Sequence, residues 1–385
     1  MILGIDASNI RAGGGVTHLV ELLGAADPSE HGFSSVVVWG GDRTLSRIGN
    51  RSWLVKSHQA LLDWSLPSRA FWQRFRLSTL ARSAGCDVLF VAGGSFRGGF
   101  RPIVAFNQNL LPFEWREIAR FGWSWMTAKM VMLRIMQAAT FRRADGVIFL
   151  TRFARDRVVA RIKDLEGRAT IVPHGIDTRF NRPPREQLGI DRYSLDHPFR
   201  VLYVSTVLPY KHQWNVAEAV AQLRSDGLPV ALEIVGAAYP PALIRLKRAM
   251  RGLDPKGAFL RYAGYVPYEE LPDRYAQADL FVFASSCETF GQILTESMSA
   301  GLPIACANRS AMPELLGDAG VYFDPEDPRD IARALRELID SPKLRAEKAR
   351  ASFARTQDYA WRRCAADTLA FLAAVARGTV RQDGR

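Results

Sequence analysis

Short apolar runs alternate with helical patterns through most of the first 180 residues. Six runs predict strands: Met1–Asp6, Ser34–Trp39, Asp87–Ala92, Pro102–Phe106, Gly146–Leu150 and Thr170–Val172. Between them apolar residues recur at helical spacing, as at Val16, Leu19, Val20 and Leu23. Strands that alternate with helices indicate a parallel sheet with helices on both faces. Ligands of such sheets bind beyond the carboxyl ends of the strands.

The same alternation begins again after a polar, proline-containing stretch. Six further runs predict strands: Arg200–Ser205, Val230–Val235, Phe259–Ala263, Leu280–Ala284, Pro303–Ala307 and Gly320–Phe323. We therefore expect two doubly wound α/β domains, at residues 1–180 and 200–356, joined by a linker at 181–199. A helical segment at 357–385 follows and could pack back on the first domain.

Composition agrees with a two-domain globular protein. The 385 residues suffice for two domains of about 150 residues each, and 48% of them are hydrophobic. The four cysteines are scattered without a CxxC pair, so neither a zinc site nor a disulfide framework is expected. The chain begins as a strand and has no apolar window of about 18 residues. We therefore expect a cytoplasmic protein without a signal peptide or spanning helix.

The positive charge is concentrated in the first half of the chain. The net charge is +12, of which residues 1–180 carry +10 and residues 181–385 carry +2. Such a surface suits nucleic acid, an anionic membrane or a phosphorylated substrate.

Two basic stretches of the first half, at 71–76 and 113–143, also contain aromatic residues. In the second, one helical stripe comprises Phe121, Trp125, Ala128, Met132, Ile135 and Met136. This helix lies either in the core or in a membrane interface. Because the aromatic residues are interleaved with Met and Leu, we expect no nucleic-acid partner. The charge keeps an anionic membrane surface as a candidate partner.

The stretch from Ala284 to Pro303 carries the strongest candidate chemistry. It follows an apolar strand and opens a helix, with Glu288 before the helix, Glu296 inside it, and Gly291 where the backbone must be bare. Helix N-termini favour anions such as phosphate, and the carboxylates could hold sugar hydroxyls. The alternative is one glutamate at the start of the helix and one solvated glutamate.

Lys211 stands at another strand-to-helix turn, after Ser205 and Thr206 at the strand end. A cation there is well placed for a pyrophosphate, although a lone lysine is more often a solvated surface residue.

Several of these stretches together resemble a known family. Ser205–Val220, Ile234–Gly236, Tyr262–Val266 and Ala284–Pro303 are similar to the C-terminal domain of retaining GT-B glycosyltransferases of family 4, the glycosyl transferases of group 1. Weaker similarity covers Gly13–Gly15, Gln108–Pro112, Ala144–Thr151 and Pro173–Asp177. The resemblance implies the GT-B fold, in which two Rossmann-like domains face a central cleft.

The resemblance also implies a role for each matched residue. Glu288 and Lys211 would be catalytic: Glu288 would hold donor-sugar hydroxyls and Lys211 would meet the donor diphosphate. Glu296 would bind the ribose. The remaining donor-side residues implied by the matched motifs are Gly14, Gly15, Ser205, Thr206, Phe290, Gly291, Gln292, Tyr265 and Val266.

Two departures from the family pattern concern the reaction. Ser205-Thr206 stands where the family often has Gly-Arg, so a second cation at the diphosphate is missing. Gln108 stands where the family often has His, which leaves acceptor activation open. Gln108, Asn109 and His174 are the acceptor-side candidates; Asp6 and His18 could also activate the acceptor.

The expected reaction is retaining transfer of a hexose from a nucleotide-diphosphate sugar, with mannose from GDP-mannose preferred. The acceptor would be a glycan or a lipid-linked glycan of a bacterial surface polysaccharide such as O-antigen lipopolysaccharide. We expect no metal, because no DxD-like pair lies in a loop between strands, and no cofactor besides the donor.

Alternatives are a non-catalytic nucleotide-sugar-binding protein of this fold, or a GT-B epimerase or glycogen-type synthase. The expected location is the cytoplasm, with peripheral binding to the inner face of the membrane as an extension.

Overall fold

A computed structural model describes residues 1–11, 13–162 and 165–379. The chain divides into two compact units. The first takes residues 1–118, 123–175 and the chain from 360 onward, and the second takes 119–122 and 176–359.

The described residues form thirteen strands and fifteen α-helices. The strands are β1 (Ile2–Asp6), β2 (Ser35–Gly40), β3 (Leu54–His58), β4 (Val88–Val91), β5 (Ile103–Asn107), β6 (Gly146–Phe149), β7 (Ala169–Ile171), β8 (Phe199–Val204), β9 (Val230–Val235), β10 (Leu260–Gly264), β11 (Leu280–Phe283), β12 (Ile304–Ala307) and β13 (Val321–Phe323). The helices are α1 (Gly14–Ala25), α2 (Asp42–Leu45), α3 (Leu66–Phe75), α4 (Leu77–Ser83), α5 (Trp115–Ala119), α6 (Trp125–Arg143), α7 (Arg152–Val159), α8 (Gln213–Ser225), α9 (Pro240–Leu253), α10 (Leu271–Gln277), α11 (Gln292–Ser299), α12 (Met312–Leu316), α13 (Pro328–Asp340), α14 (Pro342–Arg355) and α15 (Trp361–Ala376).

The first unit is built on a seven-stranded sheet. Its strand order is β3-β2-β1-β4-β5-β6-β7, and neighbouring strands run parallel. Buried apolar residues such as Leu3, Val36 and Val88 lie opposite one another across three strands. The order reverses between β1 and β4, so the loops that follow these two strands diverge and leave a crevice for a ligand.

The second unit repeats this plan with six parallel strands in the order β10-β9-β8-β11-β12-β13. Its order reverses between β8 and β11. The predicted parallel sheets with helical connections are therefore confirmed for both units. The sequence prediction missed β3, an edge strand whose residues are half-buried or exposed.

Two segments at the predicted domain borders pack against definite partners. The stretch at 181–199 belongs to the second unit, where Asp279 accepts hydrogen bonds from Arg185 at 2.7 Å and from the hydroxyl of Tyr193 at 2.9 Å. Helix α15 belongs to the first unit and packs on α1. A Cβ on Gly175 would lie 2.3 Å from the backbone nitrogen of Trp361, so only glycine fits there.

Helix α6 carries the predicted apolar stripe, but the stripe faces outward. Trp125 is 78% exposed, Ile135 65% and Met132 36%, and Trp123, just before the helix, is fully exposed. The core alternative for this stripe is therefore wrong. Phe121 is buried but precedes the helix.

The opposite side of α6 packs inward through Met130, Gln137, Thr140 and Phe141. Within the described ranges, the structure contains no helix with both the length and the apolar character needed to cross a bilayer.

Candidate functional site

The carboxyl ends of β8 and β11 bring Lys211 and Glu288 into contact in the second unit. Lys211 ends a short turn after β8, and Glu288 lies in the loop after β11. Their side chains form an ion pair between Nζ and Oε1, and they are 8% and 16% exposed. The two strands are neighbours where the strand order reverses, which is the ligand-binding point of doubly wound sheets. The pair is thus at the edge of the sheet where the sequence predicted a site.

Aromatic rings surround the Lys211 ammonium. Its Nζ lies 5.2 Å from the centroid of the Phe283 ring and 5.3 Å from that of Tyr210. The hydroxyl of Tyr203 donates to the carbonyl oxygen of Lys211 at 2.5 Å. The rings attract the cation and keep water from its sides, which strengthens its interaction with any anion in front of it.

Hydrogen bonds tie the Lys211 turn to the Glu288 loop. The backbone nitrogen of Ser286 donates to the carbonyl oxygen of Tyr210 at 2.9 Å, and the Ser286 hydroxyl lies 3.0 Å from Nε2 of His212. Burial lowers the pKa of His212 to about 4, so its imidazole is neutral at pH 7. The two loops therefore form one rigid support for the ion pair.

Ser310 holds Glu288 from the other side. Its hydroxyl accepts from the Glu288 nitrogen and donates to the Glu288 carbonyl oxygen, both at 2.8 Å. Ser310 has a φ of 58°, in the left-handed region that non-glycine residues rarely adopt. Sequence reasoning gave Ser310, Ser286 and His212 no role, since the position of these side chains depends on how the loops meet.

Gly291 lies where the loop turns into α11. Its φ is 91°, and a Cβ there would lie 2.7 Å from Cε of Met312. The prediction of a bare backbone at Gly291 is therefore confirmed. The helix begins at Gln292, and the N-terminus of a helix favours an anion. The donor-binding roles of Phe290, Gly291 and Gln292 stay predictions.

Glu296 lies inside α11 and is 3% exposed. Its carboxylate accepts hydrogen bonds from the hydroxyls of Tyr268 at 3.1 Å and Tyr275 at 3.3 Å. Burial raises the pKa of Glu296 to about 8, against the opposing effect of the two hydroxyl donors. The alternative of a solvated glutamate is wrong, and the two tyrosines are partners that the sequence analysis missed.

The remaining predicted donor-side residues of the second unit lie on two loops. The Ser205 hydroxyl donates to the Thr206 carbonyl oxygen at 3.3 Å, and the Thr206 carbonyl also accepts from Gln213 at 3.1 Å. Tyr265 is 74% exposed and Val266 half-buried, on the loop that also carries Tyr268. Their contacts with a nucleotide stay predictions.

In the first unit the structure places the glycine loop next to Gln108. Gly13 has a φ of 67° and precedes α1, which begins at Gly14. A Cβ on Gly15 would lie 3.2 Å from Oε1 of Gln108, and Nε2 of Gln108 donates to the Ala92 carbonyl oxygen at 3.3 Å. These residues follow β1, β4 and β5, three neighbouring strands. The roles of Gly14, Gly15, Gln108 and Asn109 stay predictions.

His174 contacts a second histidine in the core of the first unit. Its Nδ1 lies 2.8 Å from Nδ1 of His18, and the rings of Phe106 and Trp361 pack around the pair. Burial lowers the pKa of His174 to about 3 and that of His18 well below its usual value. Both rings are therefore neutral at pH 7, with one donating to the other. An acceptor-side role for His174 stays a prediction.

Asp6, another candidate for acceptor activation, is buried at the end of β1. Its carboxylate accepts from Nε2 of Gln73 at 2.6 Å and from the Ser8 nitrogen at 3.0 Å. Burial raises its pKa. Gln73 also donates to the Ser95 carbonyl oxygen at 2.7 Å, so it joins three segments that the sequence did not predict to meet.

Family profiles match both units. The profile described as Glycosyltransferase Family 4 matches residues 12–180, and the profile Glycosyl transferases group 1 matches residues 191–355. Together they cover most of the chain. The chain belongs to glycosyltransferase family 4.

Curated relatives of this family 4 member include transferases that act with different sugars. The O-antigen chain mannosyltransferase B of Escherichia coli is 29% identical over 61% of this chain and 59% of that protein. The sulfoquinovosyl transferase SQD2 of Arabidopsis thaliana is 33% identical over 82% of this chain and 61% of that protein. The chain thus spans about six tenths of the length of the curated relatives it matches.

Solved structures give the same fold. HepE of Anabaena, in complex with UDP-glucose, has a TM-score of 0.71 at 16% identity, covering 98% of this chain and all of that one. WaaG, a glycosyltransferase involved in lipopolysaccharide biosynthesis, has a TM-score of 0.66 at 15% identity over 97% and 99% of the two chains. At such identities the likeness shows the fold alone, which is GT-B with two Rossmann-like units, as predicted.

Proposed function

We propose that this family 4 member transfers a hexose from a nucleotide-diphosphate sugar to a glycan or lipid-linked acceptor in bacterial surface-polysaccharide synthesis. The observation that carries the proposal is the Lys211–Glu288 pair at the strand-order reversal of the second unit. A cation and a carboxylate held together there suit a phosphate joined to a sugar. Mannose from GDP-mannose is the preferred donor, in keeping with the similarity to the O-antigen mannosyltransferase.

The proposed chemistry follows from the charges. When the sugar–phosphate bond breaks, negative charge grows on the departing nucleoside diphosphate. Lys211 and the N-terminus of α11 would stabilise that charge without reorganising, which is the most effective form of electrostatic catalysis. Glu288 would accept hydrogen bonds from sugar hydroxyls and so orient the anomeric carbon. We propose metal-independent transfer with retention, by attack on the face from which the diphosphate departs.

A donor screen tests the proposal. Purified chain is mixed with UDP, GDP and their hexose conjugates, and the melting temperature and the release of nucleoside diphosphate are measured. We expect one nucleotide to raise the melting temperature and its hexose to be transferred slowly to water, and NMR recorded before the released sugar mutarotates should show the anomeric configuration of the donor. Stabilisation without turnover would instead favour the non-catalytic alternative, and an isomerised sugar would favour the epimerase. No response to any nucleotide would contradict the proposal.

We further propose that the exposed stripe of α6 rests on an anionic membrane that presents a lipid-linked acceptor. Trp125, Met132 and Ile135 expose apolar surface on one side of the helix, which ends in Arg142 and Arg143. Aromatic and aliphatic side chains beside cations suit the interface of an anionic bilayer. Peripheral binding at the inner face of the cytoplasmic membrane is the location we propose.

Flotation with vesicles containing about 30% anionic lipid measures this binding. We expect binding in low salt, weakening in high salt because screening reduces the attraction between cations and lipid. Ile135→Ser should reduce binding severalfold, since it removes apolar area from the interface. Ile244→Ser removes a similarly exposed isoleucine from the second unit and should leave binding unchanged. If binding depends neither on the lipid charge nor on either substitution, the membrane proposal is wrong.

A further inference from the structure

The six-stranded sheet of the second unit has one face that its helices leave partly open. The chain passes from β8 to β9 and β10 through α8 and α9, and then returns through α10 to β11. Because such connections are right-handed, α8 and α9 lie on one face of the sheet and α10 lies on the other. Helix α10 has seven residues and packs on β8. Parallel sheets are normally covered on both faces, so an open part of this sheet is a candidate ligand site.

The open part is a cavity of about 450 Å³ at the amino ends of β8, β9 and β10. Its charged lining residues come from four elements: Arg200 on β8, Glu233 on β9, Arg261 on β10 and Arg274 on α10. The proposed donor site lies at the carboxyl ends of β8 and β11, which is the opposite edge of the sheet. The cavity is therefore a separate place for a ligand.

The strand register places the charged residues of the strands on one face. Leu202, Glu233 and Arg261 are partners across three neighbouring strands. Arg200 is the partner of Ala231, two positions before Glu233 on β9, and side chains two positions apart share a face. Charged residues thus occupy a face where parallel strands usually carry apolar ones.

Glu233 links two of the guanidiniums. Its Oε1 accepts from Arg274 at 3.0 Å and lies 3.7 Å from Nε of Arg261. The Arg261 side chain is 70% exposed, so most of its donors face the cavity or solvent. In the part of the chain that the structure describes, no side chain pairs with the guanidinium of Arg200. Three guanidiniums face one carboxylate, which leaves an excess of two positive charges.

We propose that this cavity binds a phosphate monoester of the size of a sugar phosphate. The paired N–H donors of a guanidinium match two phosphate oxygens, and the dianion matches the excess of two positive charges. Arg200 and Arg261 hold the phosphate, and Glu233 keeps Arg274 beside it. The cavity volume falls within the range of small-molecule sites, about 300–1,000 Å³, so it has room for an organic part against apolar lining residues such as Ala231.

Calorimetric titration of the full chain with ribose 5-phosphate, inorganic phosphate and ribose tests the site. We expect ribose 5-phosphate to bind with a Kd of about 1 mM or below, inorganic phosphate to bind more weakly, and ribose not to bind. High salt should weaken the binding of both anions, because screening reduces their attraction to the arginines. Arg200→Gln and Arg261→Gln should each weaken ribose 5-phosphate binding about tenfold, as for one charge-assisted hydrogen bond.

Two further variants locate the binding. Arg248→Gln, the matched control, removes an exposed guanidinium from α9 on the other face of the sheet and should leave the affinity unchanged. Lys211→Ala alters the proposed donor site and should also bind ribose 5-phosphate with wild-type affinity.

The proposed site is wrong if ribose 5-phosphate shows no saturable binding, if Arg200→Gln and Arg261→Gln both keep the wild-type affinity, or if Lys211→Ala abolishes binding. Tighter binding of a tetraglutamate peptide would also contradict it, since that result would assign the cavity to an acidic protein segment. Melting curves check that each variant folds, and if one arginine variant does not fold, the other decides. None of these outcomes depends on whether the chain transfers a hexose.

Discussion

Replacing Lys211 with alanine will lower the rate of sugar transfer by about 10²- to 10³-fold, the usual loss when one preorganised charge stabiliser is removed from a transition state. The Lys211 ammonium is buried between Tyr210 and Phe283 and paired with Glu288, so it is already held in place before the diphosphate departs. Water that replaces it would have to reorient during the reaction. Single-turnover kinetics with the donor found in the screen would measure the loss.

Two further variants make this test specific. Lys256→Ala removes an exposed lysine of the same unit and should leave the rate unchanged. Glu288→Gln should also slow transfer, and the double variant should lose less than the product of the two single losses, because residues that act as a unit are not additive. Folding is checked by the melting temperature. A near-normal rate of transfer by a folded Lys211→Ala variant would show that Lys211 has no part in the reaction.

Replacing Arg345 with alanine will cost the second unit about 3–5 kcal/mol of unfolding free energy. Arg345 is completely buried in α14. Its guanidinium donates to the carbonyl oxygens of Leu338 and Ile339 at the end of α13, at 2.7 and 2.5 Å. It also donates to the Leu188 carbonyl oxygen and, at 3.1 Å, to the Gln187 side chain. Alanine would leave the buried Leu338 and Ile339 carbonyl oxygens without this donor and would open a cavity.

Urea denaturation followed by circular dichroism measures this cost. Arg350→Ala, on the exposed side of the same helix, is the control and should change the unfolding free energy by less than about 0.5 kcal/mol. Because Arg345 holds the 181–199 stretch as well as α13, proteolysis of that stretch should also become faster. Equal stabilities for the two variants would show that the buried guanidinium adds nothing.

The sequence predicted the architecture well because buried parallel strands are continuous apolar runs. Val36–Val38 and Phe281–Phe283 are examples, and twelve of the thirteen strands were located from such runs. The exception is β3, an edge strand at Leu54–His58 whose residues are half-buried or exposed and include Lys56 and His58. An edge strand contacts one neighbour only, so its pattern resembles that of a polar loop.

The sequence identified residues of the candidate site but not the contacts between them. Lys211 and Glu288 were predicted as site residues because each follows a strand. Their ion pair depends on β8 lying beside β11, and the local sequence pattern does not predict the order of strands in a sheet. Tyr268 and Tyr275 were missed for the same reason. A tyrosine in a loop and another in a short helix give no signal that both reach one carboxylate on α11.

Helix α6 shows a second limit of sequence patterns. Periodicity correctly placed Trp125, Ala128, Met132 and Ile135 on one side of the helix. It could not tell which side would face solvent, because the opposite side also carries large apolar residues, Met130 and Phe141. Of the two alternatives for this stripe, the core is therefore wrong, and contact with a membrane interface stays a prediction.

A crystal structure of the chain with a bound UDP- or GDP-hexose, whichever is turned over, would locate the donor directly. We expect a phosphate oxygen within about 3 Å of Nζ of Lys211, a sugar hydroxyl on Glu288 and the ribose hydroxyls on Glu296. A nucleotide bound away from the carboxyl ends of β8 and β11, with Lys211 still paired only with Glu288, would contradict the proposed site.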